Sequence, residues 1–146
     1  MLEYLKETHM LDYSHPTIQK LIHEKQWKEM NEFDRIQGIY NYVRDEILFG
    51  YNNDDHIPAS KVLSDGFGQC NTKGTLFMAL LRGCDIPCRI HGFTIDKKLQ
   101  KGAMTGIVSI EVNNRIPKIL YCNAITTKWS ITFCIFFLKF SKILVI

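Results

Sequence analysis

One cysteine stands where a fold can make a thiol reactive. Cys70 follows a turn with two glycines at residues 65–69 and precedes residues 71–82, whose apolar side chains recur at helical spacing until Gly83. A helix N-terminus offers unpaired backbone N–H groups and the positive end of the helix dipole, and both favour the thiolate. The backbone N–H groups of Gln69 and Asn71 are candidates to stabilise an oxyanion during acyl transfer. The pattern therefore indicates a nucleophilic cysteine, and the alternative is a small buried apolar residue.

The residues around Cys70 form an ordered series. It contains FGYN at 49–52, ASKVL at 59–63, GFGQC at 66–70, ALLR at 79–82, DIPCR at 85–89 and HGFTIDK at 91–97. A glycine-flanked cysteine alone is a weak signal, but the segments in this order are specific. Over residues 10–108 the chain resembles the transglutaminase-like superfamily of papain-fold cysteine enzymes.

The resemblance implies both a fold and a chemistry. The implied fold is α+β, a papain-like transglutaminase core in which N-terminal helices are followed by an incomplete antiparallel sheet. The implied catalytic residue is Cys70, which in an intact member attacks the carbonyl of a peptide or protein amide. The acyl group then passes to water or to an amine, and the residues do not choose between these acceptors. No cofactor and no metal is expected.

The sequence departs from the family pattern where the other catalytic residues belong. The family carries a catalytic His after the cysteine helix, usually as His-x-Trp-x-Glu, and an Asp on the next strand, but no histidine follows His91 here. His91 itself is too close behind the helix and is interpreted as a structural residue of the first strand. Without an imidazole, few thiols ionise at neutral pH and the leaving amine gains no proton. We expect an acyl-transfer domain that is inactive as written; the alternative is a non-catalytic remnant or binding module of the same fold.

The composition changes near the end of the resemblance. Residues 112–146 contain no Asp, Glu or Gly, and residues 131–146 are an almost unbroken apolar run. We divide the chain into a transglutaminase-like domain at 1–108 and a divergent hydrophobic tail at 109–146. The tail is either the product of a frameshift, which is the preferred interpretation, or genuine divergence. On the first interpretation the residues after Val108 are poorly ordered or helical, and a strand at 105–112 becomes an exposed edge.

Composition, charge and cysteine content indicate what kind of protein this chain is. With 46% hydrophobic and 23% charged residues, the 146-residue chain has the composition of one globular domain. Its net charge of +3 is too small and dispersed to indicate nucleic-acid binding. Five cysteines without a secretory signal indicate a reducing compartment and a cytoplasmic protein. The tail's 16-residue apolar run is interrupted by Lys139 and Lys142 and is shorter than the roughly 20 residues that cross a bilayer, so membrane association is not expected.

Helices are predicted before the cysteine and strands after it. Pro16 is a typical first residue of a helix, and Asn31 is a good N-cap for the next one. Strands are predicted at 88–94 and 105–112. The oxygen-rich residues 53–56 lack the ligand spacing of a calcium loop, so they are interpreted as a solvated turn.

Overall fold

Local capping sets the start of the first two helices. The computed structural model describes residues 2–93, 121–125 and 130–133, with side chains as far as residue 89. Helix α1 (Pro16–Glu24) has Pro16 at its first position, as predicted, and the Nδ1 atom of His15 accepts a hydrogen bond from the Thr17 N–H at 3.3 Å. Helix α2 (Glu32–Asp45) begins after Asn31, whose Oδ1 accepts the N–H of Asp34 at 3.0 Å. Both caps satisfy backbone groups that a helix leaves unpaired at its start.

Helix α4 (Cys70–Gly83) is the centre of the helical region. Every residue from Thr72 to Gly83 is buried. The helix contacts α1, α2 and a short third helix, α3 (Ala59–Asp65). The sequence predicted a helix at 71–82 with one apolar face, and the observed bounds agree within one residue. The structure covers the helix on all sides, so its polar residues are buried as well.

The buried guanidinium of Arg82 connects the segment before the first helix to the segment after α4. Its guanidinium donates to the Lys6 carbonyl at 2.6 Å and to the Cys88 carbonyl at 2.9 Å. A guanidinium can be buried when carbonyl oxygens accept its N–H groups. Arg82 thereby links the N-terminal segment to the residue that precedes the first strand of the sheet.

The core lies between α4 and the inward faces of the other helices. Trp27 is only 3% exposed and packs edge-on against the Tyr42 ring. The larger buried apolar side chains of the four α-helices are Ile18, Leu21, Ile22, Ile36, Ile39, Tyr40, Val43, Val62, Leu76, Phe77, Met78, Leu80 and Leu81. Their burial is the main favourable contribution to folding.

Two small sheets complete the described fold. Strand β1 (Leu48–Phe49) pairs in parallel with β2 (Phe67–Gly68), directly before α4. Strands β3 (Arg89–Phe93), β4 (Tyr121–Ile125) and β5 (Ser130–Phe133) form an antiparallel sheet in that order. The predicted strand at 88–94 corresponds to β3, and the predicted strand at 105–112 lies outside the described residues. The predicted α+β class, with helices first and sheet second, is confirmed.

The expectation that the chain after Val108 stays out of the sheet is wrong for two segments. In β4, Tyr121 lies opposite Phe93 of β3, and Cys122 lies opposite Phe133 of β5. These segments are rich in aromatic and β-branched residues, which favour strands. An open edge of β3 offers unpaired backbone groups that such a segment can satisfy. The tail therefore contributes strands, whatever its origin.

Candidate active site

Two glycines, Gly66 and Gly68, shape the turn that leads from α3 to the nucleophile helix α4. Gly66 ends α3 in the left-handed region, with φ of +71°, a conformation that glycine adopts without steric cost. A Cβ on Gly68 would lie 2.7 Å from the Thr72 Oγ1 atom and 3.2 Å from the Val62 Cγ1 atom. Only a glycine fits there without displacing its neighbours. Cys70 follows two residues later, as the first residue of α4.

A network of loop side chains crosses the start of α4. The backbone N–H of Asn52 donates to Gln69 Oε1 at 2.7 Å, and the hydroxyl of Thr72 donates to Asn52 Oδ1 at 2.7 Å. The Gln69 side-chain amide in turn donates to the carboxylate of Asp55. The side chain of Gln69, the N-cap residue, is therefore directed to the loop, and only the backbone N–H of Gln69 is a candidate for the oxyanion role.

Sequence reasoning missed Asn52, Asp55 and Thr72 as neighbours of the site. Residues 53–56 were interpreted as a solvated turn, and Asp55 is indeed exposed. Its contact with Gln69 joins residues that are 14 positions apart, which no local pattern predicts. The signal that could have found Asn52 is the FGYN segment at 49–52, which belongs to the series that resembles the family.

The surroundings of the Cys70 thiol act against ionisation. The residue is half-buried, and burial is the main cause that raises the pKa of the thiol above its ordinary value. Hydrogen bonding from the backbone N–H groups of Asn71 and Cys70 lowers the pKa, while the negative charge of Asp55 raises it. The expected net preference for thiolate is therefore not found, because burial outweighs the helix-end N–H groups. The oxyanion role of the Gln69 and Asn71 N–H groups stays a prediction.

The other two cysteines with described side chains are core residues. Cys84 and Cys88 are fully buried, and burial raises the pKa of each thiol to about 11. The Cys88 thiol lies 3.7 Å from the Met78 carbonyl oxygen and donates to it. Cys122 lies in β4, and Cys134 lies outside the described residues. Among the three, Cys70 is the thiol that solvent can reach.

The histidines with described side chains do not supply a base to Cys70. His91 occupies the middle of β3, the first strand after the cysteine helix, and its register partner on β4 is Asn123. The neighbouring strand β4 contains no histidine. His56 is exposed, and its Nδ1 lies 3.3 Å from the Asp54 carboxylate. Within residues 2–89, no histidine acts on the Cys70 thiol.

Lys73 lies one helical turn after Cys70 but is directed elsewhere. It is only 1% exposed, and its ammonium donates to the Ile47 carbonyl just beyond the end of α2. Burial lowers the pKa of the Lys73 amine to about 8, and the nearby Asp45 carboxylate partly opposes this shift. Lys73 thus connects α2 to the nucleophile helix and is not positioned as a base for the thiol.

The described part of the chain has neither a metal-binding cluster nor a membrane-spanning helix. No group of three or more His, Cys, Asp or Glu side chains is arranged there to hold a metal ion. None of its helices has the length and apolar character needed to span a bilayer.

A half-buried cysteine at the first position of a buried central helix, followed by an antiparallel sheet, defines the papain-like class of thiol folds. The family model for the transglutaminase-like superfamily matches residues 19–117, well over half of the chain. The chain therefore belongs to the transglutaminase-like superfamily. The match extends past Val108, where the resemblance in sequence ended.

One solved structure shares the fold. It is the crystal structure of a "putative cysteine protease" from Cytophaga hutchinsonii, with a TM-score of 0.65 and 17% sequence identity. The similarity covers 94% of this chain and 42% of the other, so this chain spans less than half the length of that protein. At this identity the likeness shows the fold alone. No curated protein matches the chain.

Proposed function

We propose that Cys70 holds the nucleophile position of a thiol-based acyl-transfer domain, which an intact member uses for catalysis, and that the chain as written has little or no turnover. The observation that carries the proposal is the position of Cys70. It is the first residue of α4 and it is half-buried, directly after a turn that Gly66 and Gly68 shape. A peptide or protein amide is the proposed substrate class.

The chemistry proceeds in two stages. The thiolate of Cys70 attacks the amide carbonyl carbon, so a C–S bond forms and the carbonyl electron pair moves to oxygen. The backbone N–H groups of Gln69 and Asn71 are proposed to stabilise this oxyanion. When the oxyanion collapses, the C–N bond breaks and the amine departs with a proton, which leaves a thioester. Water or an amine then attacks the thioester and releases the sulfur of Cys70.

The proposed inactivity follows from the missing base. The first stage needs a group that takes the proton from the thiol and gives one to the leaving amine. The sequence has no histidine after His91, and the pKa of the Cys70 thiol is raised. Loss of the histidine in a comparable catalytic unit lowers kcat by several orders of magnitude.

Amidase and transamidase assays on a generic glutamine peptide test this proposal. We expect no turnover that depends on Cys70, although brief iodoacetamide treatment labels that residue. The control is Cys70→Ala, which removes the thiol without adding volume. Turnover by the parent chain that disappears in Cys70→Ala would overturn the inactivity, and His91→Ala and His56→Ala would then identify the substitute base.

The second candidate function is a non-catalytic binding module of the same fold. The observation that favours it is the raised pKa of a thiol that lies near the carboxylate of Asp55. The coding DNA beyond the Val108 codon distinguishes the two. A His-x-Trp-x-Glu segment with a later Asp in another reading frame supports an interrupted acyl-transfer enzyme. Absence of such a segment from all frames supports true divergence to a binding module.

A further inference from the structure

Two neighbouring acidic residues near the site differ in what they contact. Both Asp54 and Asp55 are exposed. Asp54 accepts the His56 N–H at 2.8 Å and lies beside the His56 ring. Asp55 instead accepts the side-chain amide of Gln69, the residue directly before Cys70. The carboxylate of Asp55 is therefore bound to the residue at the start of α4, while the contacts of Asp54 are with His56.

Asp55 is held close to the nucleophile along the chain. Its carboxylate accepts from Gln69, the residue before Cys70, and its negative charge adds to burial, the larger cause, in raising the pKa of the thiol. Lys73, one turn along α4, donates to the Ile47 carbonyl and does not pair with Asp55. A carboxylate has lone pairs beyond the one that holds Gln69, so Asp55 can accept a further donor from a ligand.

We propose that Asp55 is a specificity-determining residue of the Cys70 site, selecting acyl donors that carry a positive charge, such as a Lys or Arg side chain beside the attacked carbonyl. This inference rests on the proposed function, because it assumes that Cys70 is the reacting group. A cation next to Asp55 gains a charge-assisted hydrogen bond and removes the field that opposes the thiolate. The contact between a cationic substrate and Asp55 therefore strengthens binding and also favours ionisation of the Cys70 thiol.

Charged thiol reagents test the inference without any need for turnover. Methanethiosulfonates that carry either a trimethylammonium or a sulfonate group react with Cys70 so that an S–S bond forms and methanesulfinate leaves. Mass-spectrometric mapping gives the rate at Cys70 for each reagent, and N-acetylcysteine amide gives the reference ratio. We expect the cationic reagent to be favoured over the anionic one by about three- to tenfold relative to the reference, the range for a single partly screened charge.

Two matched variants test whether Asp55 is the source of the preference for the cationic reagent. Asp55→Asn keeps an oxygen that can accept from Gln69 but removes the charge, so the preference should fall to the reference ratio. Asp54→Asn removes the same charge one residue away and should retain the preference. Added salt at ~0.5 M should reduce the preference of the parent chain, because the carboxylate is exposed. Equal loss in both variants would assign the effect to the loop as a whole and overturn the role of Asp55.

Labelling with neutral iodoacetamide shows whether a negative result contradicts only the role of Asp55 or also the proposed nucleophile. If iodoacetamide labels Cys70 but the charged reagents show the reference ratio, the specificity role of Asp55 is wrong and the nucleophile assignment stands. If iodoacetamide leaves Cys70 unlabelled while the folded chain is intact by circular dichroism, Cys70 is not an accessible nucleophile and both proposals fall.

Discussion

The Cys70 thiol is subject to opposing influences from groups a few residues away. The backbone N–H groups at the start of α4 favour the thiolate, while burial and the charge of Asp55 favour the thiol. Thiols with a strongly lowered pKa normally combine a helix N-terminus with a cationic neighbour. The described surroundings of Cys70 provide only the first of these, so its position alone does not make it a thiolate.

Cys70 should nevertheless be alkylated before the core cysteines. At neutral pH, brief iodoacetamide treatment should label Cys70 ahead of Cys84 and Cys88, because both are fully buried with a thiol pKa of about 11. Peptide mapping by mass spectrometry gives the order. Labelling led by Cys122 or Cys134 would count against this prediction.

The pH dependence of this labelling should show the raised pKa. Alkylation requires the thiolate, so its rate follows the ionised fraction. Because the pKa of Cys70 is raised above the ordinary value of 9.0, the rate should still be rising at pH 9. A rate that has levelled off by about pH 8 would mean that a cation outside the described residues stabilises the thiolate.

The buried amine of Lys73 should make stability depend on pH. Its pKa is about 8 in the folded chain and 10.5 at its ordinary value, so between these values the unfolded chain binds more protons. The contribution of Lys73 to the free energy of unfolding therefore rises as the pH increases from about 8 to 10.5. We expect the parent chain to gain about 2 kcal/mol relative to Lys73→Met between pH 7.5 and 10.

Urea unfolding of the two chains at each pH measures this difference. The comparison with Lys73→Met is needed because Cys84 and Cys88, with thiol pKa values raised to about 11, change stability in the opposite direction above pH 9. Those contributions are common to both chains and cancel. A difference in unfolding free energy that is the same at every pH would show that the folded chain does not lower the pKa of Lys73.

At the scale of elements, the entry into α4 depends on close backbone packing at Gly68. In Gly68→Ala the new Cβ would meet Thr72 Oγ1 at 2.7 Å and Lys73 Cγ at 3.1 Å, so β2 and α4 must separate. We expect a loss of about 1–3 kcal/mol in unfolding free energy, the usual cost of overpacking. A changed alkylation rate at Cys70 should accompany it, because Thr72 and Lys73 share the first turn of α4 with Cys70.

Gly66 provides the matched control for Gly68. A Cβ added at Gly66 would have no atom within 4 Å, but φ there is +71°, so a substitution meets backbone strain rather than a clash. Asparagine tolerates this conformation better than other residues. Gly66→Asn should therefore cost less than Gly68→Ala and leave the alkylation rate at Cys70 unchanged. If the two variants lose equal stability by thermal melting, close packing at Gly68 is not the important feature.

At the scale of the whole molecule, the pairing of β3, β4 and β5 changes what truncation should do. On composition alone, deletion of the apolar residues 131–146 should improve solubility, since such runs promote aggregation. The structure places Ser130–Phe133 in β5, paired with β4. Deletion from residue 131 would therefore expose the edge of β4, and we expect the benefit only when deletion begins after Phe133.

Two truncated chains test this expectation. One ends at Phe133 and retains β5; the other ends at Ile125 and leaves β4 with an unpaired edge. The first should be more soluble than the full chain and keep its melting temperature. The second should melt at a lower temperature and form larger species by size-exclusion chromatography, because an open strand edge pairs with other chains. Identical behaviour of the two would mean that β5 does not contribute to the fold.

The sequence by itself determined the features that depend on near neighbours along the chain. Pro16 and Asn31 mark helix starts because capping involves only the next two or three residues. The glycine turn before Cys70 and the apolar spacing after it placed the nucleophile helix within one residue. The ordered segments around Cys70 also indicated the superfamily, because their residue types and order are properties of the chain itself.

Only the tertiary structure decided the features that join distant positions. Lys73 and Arg82 are buried because neighbouring elements cover every side of α4, which the periodicity of one helix does not reveal. Asp55 contacts Gln69, the residue before the nucleophile, because its loop folds back across the helix start. The tail strands join the sheet because the edge of β3 can pair with a strand-forming segment from far along the chain. In each case the stabilising contacts join residues that no local pattern brings together. The pKa of Cys70 depends on such contacts, namely burial and the charge of Asp55, so the sequence alone could not predict it.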